Sequence, residues 1–68
     1  MSMTYSKDIG KKLREARKNK RLTCAAVGAA IGVTTSYYSR IERGYAGIPP
    51  HRLLRICEVL DLNPEELR

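Results

Sequence analysis

The stretch VGAAIGVTTSYYSRIERG, residues 27–44, decides how this chain folds. Its first half is apolar and interrupted by Gly28 and Gly32, and its second half carries short hydroxyl side chains around two tyrosines. A glycine inside a helix costs about 0.5–1 kcal/mol relative to alanine, so Gly28 indicates a close approach to a neighbouring helix. Gly32 suits the left-handed residue after a helix, which an apolar residue such as Val33 often follows. The stretch therefore predicts a helix-turn-helix, with two short helices that cross steeply.

The rest of the chain is also predicted to be helical, because no alternating strand pattern occurs in it. Thr23 and Thr34 are N-cap candidates for the two short helices, which we expect from Cys24 to Ala30 or Ile31 and from Thr34 to about Arg43. The other predicted elements are a first helix capped by Ser6, a fourth that begins near Pro50, and a short fifth that begins at Asn63 and Pro64. The fold class is therefore all-α, with five helices.

A chain of 68 residues has room for one domain, which we place at 1–68 with a flexible segment at 1–5. Cys24 and Cys57 lie far apart in the sequence and His51 is alone, so a zinc site lacks its ligands. We interpret both cysteines as small apolar residues, buried or half-buried, and a disulfide between them remains open. The N-terminus has no apolar segment typical of a secretory signal, and no run approaches the roughly 18 apolar residues of a membrane span. We expect a cytoplasmic protein with no membrane partner.

The charge of the chain favours a polyanionic partner. Thirteen Lys and Arg residues against seven Asp and Glu residues leave a net charge of +6. Most of the basic residues lie in the first third of the chain and most of the acidic ones in the second half. This asymmetry favours a positively charged face.

The outer face of the third predicted helix has the chemistry needed to contact DNA. Residues with hydroxyl or guanidinium groups recur there at i, i+1, i+4, i+5 and i+8, namely Thr35, Ser36, Ser39, Arg40 and Arg43. Short hydroxyl side chains let a helix lie deep in a major groove, where they bond to base edges or phosphates. Arg40 can hold guanine O6 and N7 with two hydrogen bonds, and the Tyr37 hydroxyl is predicted to reach a phosphate from the flank.

Between Ile9 and Leu67 the chain resembles the Cro/lambda-repressor type of helix-turn-helix proteins, also called the XRE family. The matching segments are IGKKLREARKNKRLT at 9–23 and LLRICEVLDLNPEEL at 53–67. The matching residues between them are Val27, Gly28, Ile31, Gly32, Val33, Ser39, Ile41, Glu42 and Gly44. The resemblance implies a compact five-helix domain that binds operator DNA, usually as a symmetric dimer, and controls transcription.

The resemblance also implies roles for particular residues. It assigns contact with bases in the major groove to Thr35, Ser36, Ser39 and Arg40. It places Arg17 in a buried ion pair with Glu42; the alternative is that both are ordinary surface charges.

The chain departs from the family at several places, three of which concern individual contacts. Cys24 stands where members commonly carry Gln, so Thr23 and backbone N–H groups at Cys24 are left to meet a phosphate. Basic residues are lacking after Gly44, which leaves Arg43 and Tyr45 for phosphate contacts. Position 38 is commonly Ile or Val; the register favours Tyr38 over Tyr37 as the residue that faces inward, and if Tyr38 is buried its hydroxyl needs a hydrogen-bond partner.

We expect the protein to be a repressor or autoregulator that reads a palindromic double-stranded operator as a homodimer, because two half-sites multiply the discrimination of one small domain. The predicted dimer surface consists of Ile48, Leu54, Val59 and Leu67. The alternative is a protein-interaction module of the same fold, such as an antitoxin or a coactivator-like protein. The sequence contains no recognisable enzyme motif, so we expect no catalytic activity, cofactor or metal.

Overall fold

The computed structural model describes residues 7–67, which form four α-helices and one short 3₁₀ helix. The α-helices are α1 (Lys7–Asn19), α2 (Cys24–Ile31), α3 (Thr35–Glu42) and α4 (Pro50–Leu60), and the 3₁₀ helix is Pro64–Leu67. The four longer predicted helices are confirmed, whereas the predicted short fifth helix is a single 3₁₀ turn, so a count of five α-helices is not confirmed. The predicted cap Ser6 and the predicted flexible segment 1–5 lie outside the described residues.

The helix-turn-helix is formed by α2 and α3, as the sequence predicts. Thr23 and Thr34 cap the two helices, each accepting a hydrogen bond from the N–H three residues later, at 3.0 and 3.1 Å. Gly32 follows α2 with φ at 78°, in the left-handed region. The Val33 N–H then donates to the carbonyl oxygen of Gly28 at 2.8 Å, which closes the turn.

Two glycines allow backbones to approach closely. A Cβ at Gly28 would lie 3.1 Å from the carbonyl oxygen of Val33, so the predicted approach exists, although its neighbour is the turn and not the body of α3. The sequence analysis missed a tighter approach, at Gly10 in α1. A Cβ there would lie 2.3 Å from the carbonyl oxygen of Glu42, at the end of α3. No side chain fits between α1 and the end of α3 at this point.

Every helix contributes to one apolar core. α2 packs on α3 and α4, and α1 packs on α3 and α4, so α3 is held from two sides. The buried apolar residues are Leu13, Val27, Ile31, Tyr38, Ile41, Ala46, Ile48, Ile56, Cys57, Leu60 and Leu67. Cys24 is half-buried and both cysteines are free thiols. Burial raises the pKa of the Cys57 thiol.

The core contains two residues that the sequence analysis assigned to a dimer surface. Ile48 is 2% exposed and Leu67 is 6% exposed, so the expectation that they face outward was wrong. Ile48 packs inward just before α4 begins, and the 3₁₀ helix folds Leu67 back onto the core. The other two residues predicted for the dimer surface are accessible, since Leu54 is 54% exposed and Val59 is half-buried. Among the described residues, no helix has the length and apolar character needed to cross a membrane.

Candidate nucleic-acid interface

The outward face of α3 brings the predicted base-contact residues together. Tyr38 and Ile41 point inward and are almost fully buried, at 0% and 1% exposure, so the opposite side of this helix faces solvent. Thr35, Ser36 and Arg40 are exposed there, and Ser39 is half-buried. A helix with short hydroxyl side chains and one projecting guanidinium can enter a major groove without obstruction.

Arg43 and Tyr45 follow α3 and are both exposed, with Tyr45 at 62%. The Tyr45 N–H donates to the carbonyl oxygen of Arg40 at 2.9 Å, so the chain stays close to the helix end as it leaves α3. Arg43 and Tyr45 therefore lie next to the C-terminal end of α3, and both side chains are accessible to a partner of this helix.

Tyr37 has a different role from the predicted one. Its hydroxyl donates to the carbonyl oxygen of Gly47 at 2.8 Å, and its N–H donates to the Thr34 hydroxyl. The hydroxyl proton that a phosphate would need is used in this bond, so the predicted phosphate contact would require the bond to Gly47 to break. The bond ties α3 to the segment 43–49, which connects it to α4. Tyr37 thus positions this segment.

The beginning of α2 presents Thr23 and Cys24. Thr23 is exposed, and its hydroxyl accepts the capping bond from Ala26, which leaves its own proton available to a partner. The Cys24 Sγ lies 3.9 Å from Oε1 of Glu42, so the thiol turns toward the end of α3. The N–H groups in the first turn of a helix have no partner within the helix. The backbone N–H of Cys24 is one of these groups and can therefore donate to an anion.

The predicted ion pair between Arg17 and Glu42 is present. Arg17 Nε lies 2.7 Å from Glu42 Oε2, and Arg17 Nη2 lies 3.1 Å from Oε1, so two parallel hydrogen bonds join the groups. The Arg17 Nη1 also donates to the carbonyl oxygen of Leu22 at 2.9 Å. The two side chains are 12% and 6% exposed, which excludes the alternative of ordinary surface charges. The hydrogen bond to Glu42 raises the pKa of Arg17.

Tyr38 lies beside this pair. It is turned inward as the register predicts, and its side chain is fully buried. Within residues 7–67 its hydroxyl makes no well-aligned hydrogen bond, although the Glu42 carboxylate lies close enough to interact with it. Burial, followed by the neighbouring Glu42 carboxylate, raises the pKa of Tyr38 because both disfavour a phenolate.

Sequence reasoning missed three contacts that position the interface. Gly10 seats α1 against the end of α3, Tyr37 holds Gly47, and the Arg52 Nη1 donates to the carbonyl oxygen of Ile31 at 2.8 Å. The contact at Gly10 could have been predicted from the sequence, because a glycine inside a helix indicates a close approach to a neighbour, as it does at Gly28. Arg52 had no comparable signal, since its partner lies 21 positions away in the chain.

Comparisons with known proteins identify relatives of this arrangement. The sequence model described as a helix-turn-helix domain matches residues 8–68. An uncharacterised HTH-type transcriptional regulator from Sinorhizobium fredii is 32% identical over 56 residues, which cover 82% of this chain. The chain spans only 39% of the length of that relative.

Solved structures share the fold. The restriction-modification controller protein C.AhdI from Aeromonas hydrophila superposes with a TM-score of 0.82 at 31% identity, covering 90% of this chain and 92% of its own. The clp gene regulator ClgR from C. glutamicum gives a TM-score of 0.85 at 26% identity, covering 90% and 78%. Hydroxypropylphosphonic acid epoxidase from S. wedmorenis gives 0.84 at 24% identity, covering 97% of this chain but 35% of the enzyme, which shows the fold alone. The geometry of α2 and α3 and the family match over residues 8–68 together show that the chain belongs to the Cro/lambda-repressor (XRE) type of helix-turn-helix proteins.

Proposed function

We propose that this chain is a sequence-specific, DNA-binding transcriptional regulator, acting as a repressor or autoregulator. The observation that carries the proposal is the two-sided character of α3. Its inward side is locked into the core, and its outward side exposes Thr35, Ser36 and Arg40. The net charge of +6 supplies the attraction to a polyanion that such a surface needs. C.AhdI and ClgR, which share the fold, are named as a controller protein and a gene regulator.

The proposed roles divide by position on the surface. Base edges are contacted by Thr35, Ser36, Ser39 and Arg40, with Arg40 gripping a guanine through two hydrogen bonds. Phosphates are contacted at the border of this face by the Thr23 hydroxyl, the backbone of Cys24, Arg43 and Tyr45. No step of this function requires an enzymatic group, a cofactor or a metal.

The operator is proposed to be a palindrome read by a homodimer. A two-fold dimer uses the same patch on both copies, and α4 presents the exposed Leu54 with the half-buried Val59 beside the core. Leu54→Glu introduces two like charges across the two-fold axis and is expected to shift the protein to monomer in sedimentation and to weaken operator binding. An unchanged oligomeric state would contradict the assignment of α4 to the dimer interface.

The decisive experiment is selection of bound duplexes from a random pool. We expect enrichment of two symmetric half-sites about one helical turn apart. Arg40→Ala should then lose affinity at one operator position, whereas Arg43→Ala should weaken binding to all sequences alike. Equal losses for both variants on random and selected DNA would contradict the assignment of base contact to Arg40.

The alternative of a protein-interaction module is supported by one observation. The four alanines of α2, Ala25, Ala26, Ala29 and Ala30, are exposed and form a bare face. Ionic strength separates the two functions. Binding to DNA weakens steeply with added salt because counterions are released, whereas binding through an alanine face is nearly independent of salt.

A further inference from the structure

α1 carries a row of cations on one face. Lys11, Arg14 and Lys18 are spaced i, i+3 and i+7, so they project from the same side of the helix, and all three are exposed. Together with Glu15 they line one shallow depression on the surface. Three cations against one carboxylate leave this face positively charged.

Arg14 connects the row to the helix that is proposed to read DNA. An open cleft separates α1 from the second half of α3, and its lining residues are Arg14, Arg17, Cys24, Ser39, Glu42 and Arg43. Arg14 stands on the α1 side, and Ser39 and Arg43 stand on the α3 side. The cation row and the outward face of α3 are therefore parts of one continuous surface.

The charges in the cleft are not balanced. Arg17 is paired with Glu42 by two hydrogen bonds, so these two groups offset each other. Within residues 7–67, Arg14 and Arg43 form no ion pair. Because Arg14 and Arg43 line the same cleft, both guanidinium groups contribute positive charge to it. A guanidinium presents planar, paired donors that match the oxygens of a phosphate.

We propose that this cleft seats one phosphate of the DNA backbone, with Arg14 as its contact from α1 opposite Arg43. The inference rests on the proposed DNA binding and adds α1 to the interface. Lys11 and Lys18 flank the contact along the helix. They make the local electrostatic potential more positive, which attracts the same DNA strand. Arg14 then contributes affinity without contributing sequence preference.

The test compares Arg14→Gln with Lys12→Gln. Both variants remove one positive charge from an exposed position of α1, but Lys12 lies on another face, where its Nζ donates to the carbonyl oxygen of Glu66 at 3.0 Å. Binding to the selected operator and to a random duplex is measured by fluorescence anisotropy between about 50 and 200 mM salt. Arg14→Gln is expected to weaken both complexes by a similar factor, about three- to tenfold, and to reduce the slope of log K against log salt by about 0.9.

Lys12→Gln is expected to change neither complex by more than about twofold, because its charge is screened from the cleft. Arg14→Lys keeps the charge and is expected to restore the slope while recovering only part of the affinity, since an ammonium lacks the planar pair of donors. Unchanged thermal unfolding of all three variants separates a lost contact from a lost fold.

Single methylphosphonate substitutions in the operator locate the contact. At one position the neutral linkage should weaken binding of the wild-type protein more than binding of Arg14→Gln, which retains only the contact from Arg43. Equal losses of affinity for Arg14→Gln and Lys12→Gln, or the absence of any such position, would contradict the proposed phosphate contact in the cleft. Either result would leave the proposed function in place. A wild-type protein that selects no duplex at all would overturn both.

Discussion

The two sides of α3 are built in opposite ways. On the inward side and at its end, α3 meets α1 through the backbone contact at Gly10 and the paired Arg17 and Glu42, with Tyr38 buried beside them. On the outward side Thr35 and Ser36 are exposed. Substitutions at the junction must disturb packing or leave a charge unpaired, whereas substitutions on the outward face disturb neither. Stability and the proposed recognition of DNA therefore depend on different residues of one eight-residue helix.

The largest expected effect comes from breaking the ion pair. Glu42→Gln leaves the Arg17 guanidinium buried without its countercharge, and we expect it to lower the free energy of unfolding by about 3–5 kcal/mol. Urea denaturation measures this loss. The double variant Arg17→Met/Glu42→Leu removes both charges and should cost less than Glu42→Gln alone. A cost below about 1 kcal/mol for Glu42→Gln would place the pair among surface ion pairs.

The second effect concerns the close approach of α1 to α3. In Gly10→Ala the new Cβ meets backbone atoms of α3, which cannot rotate away as a side chain can, so we expect a loss of about 1–3 kcal/mol. Gly28→Ala is the matched control, because its Cβ would lie at 3.1 Å and the better helix propensity of alanine offsets part of the strain. In thermal unfolding, the midpoint temperature of Gly10→Ala should lie well below that of Gly28→Ala. The reverse order would show that the turn at Gly32, and not the α1 junction, is the tighter constraint.

The third effect appears only in alkali. Because the pKa of Tyr38 is raised in the folded protein, the unfolded chain loses this proton first, near the ordinary value of about 10. The contribution of Tyr38 is therefore complete below about pH 10, and above that value stability falls by at most about 1.4 kcal/mol per pH unit. Tyr38→Phe should flatten this decline, whereas Tyr45→Phe, at an exposed position, should not. Equal alkaline profiles for both variants would contradict the assignment.

The smallest effect on stability is expected on the outward face. Thr35→Ala and Ser36→Ala remove hydroxyls that face solvent, so the free energy of unfolding should change by no more than about 0.5 kcal/mol. Affinity for the selected operator should nevertheless fall, by about 1 kcal/mol or more for each base contact that is lost. A variant that loses stability and binding in parallel would show that the two sides of α3 are not separable.

The amino-acid sequence by itself determined the local features of this protein. The caps at Thr23 and Thr34, the left-handed residue at Gly32 and the inward register of Tyr38 were all predictable, because each depends on residues within one or two helical turns. The spacing of the outward residues on α3 was predictable for the same reason. The partner of Arg17 came from a family resemblance, since 25 positions separate it from Glu42 and no local rule joins them.

Only the tertiary structure decided how the elements meet. Gly10 faces the end of α3, the Tyr37 hydroxyl is used by Gly47, and Ile48 and Leu67 lie in the core and not on a dimer surface. The same holds for the cleft that brings Arg14 to Arg43. Helical periodicity tells which side of a helix is apolar, but it contains no information on which neighbour covers that side. That choice depends on the simultaneous packing of all four α-helices, which no single segment specifies.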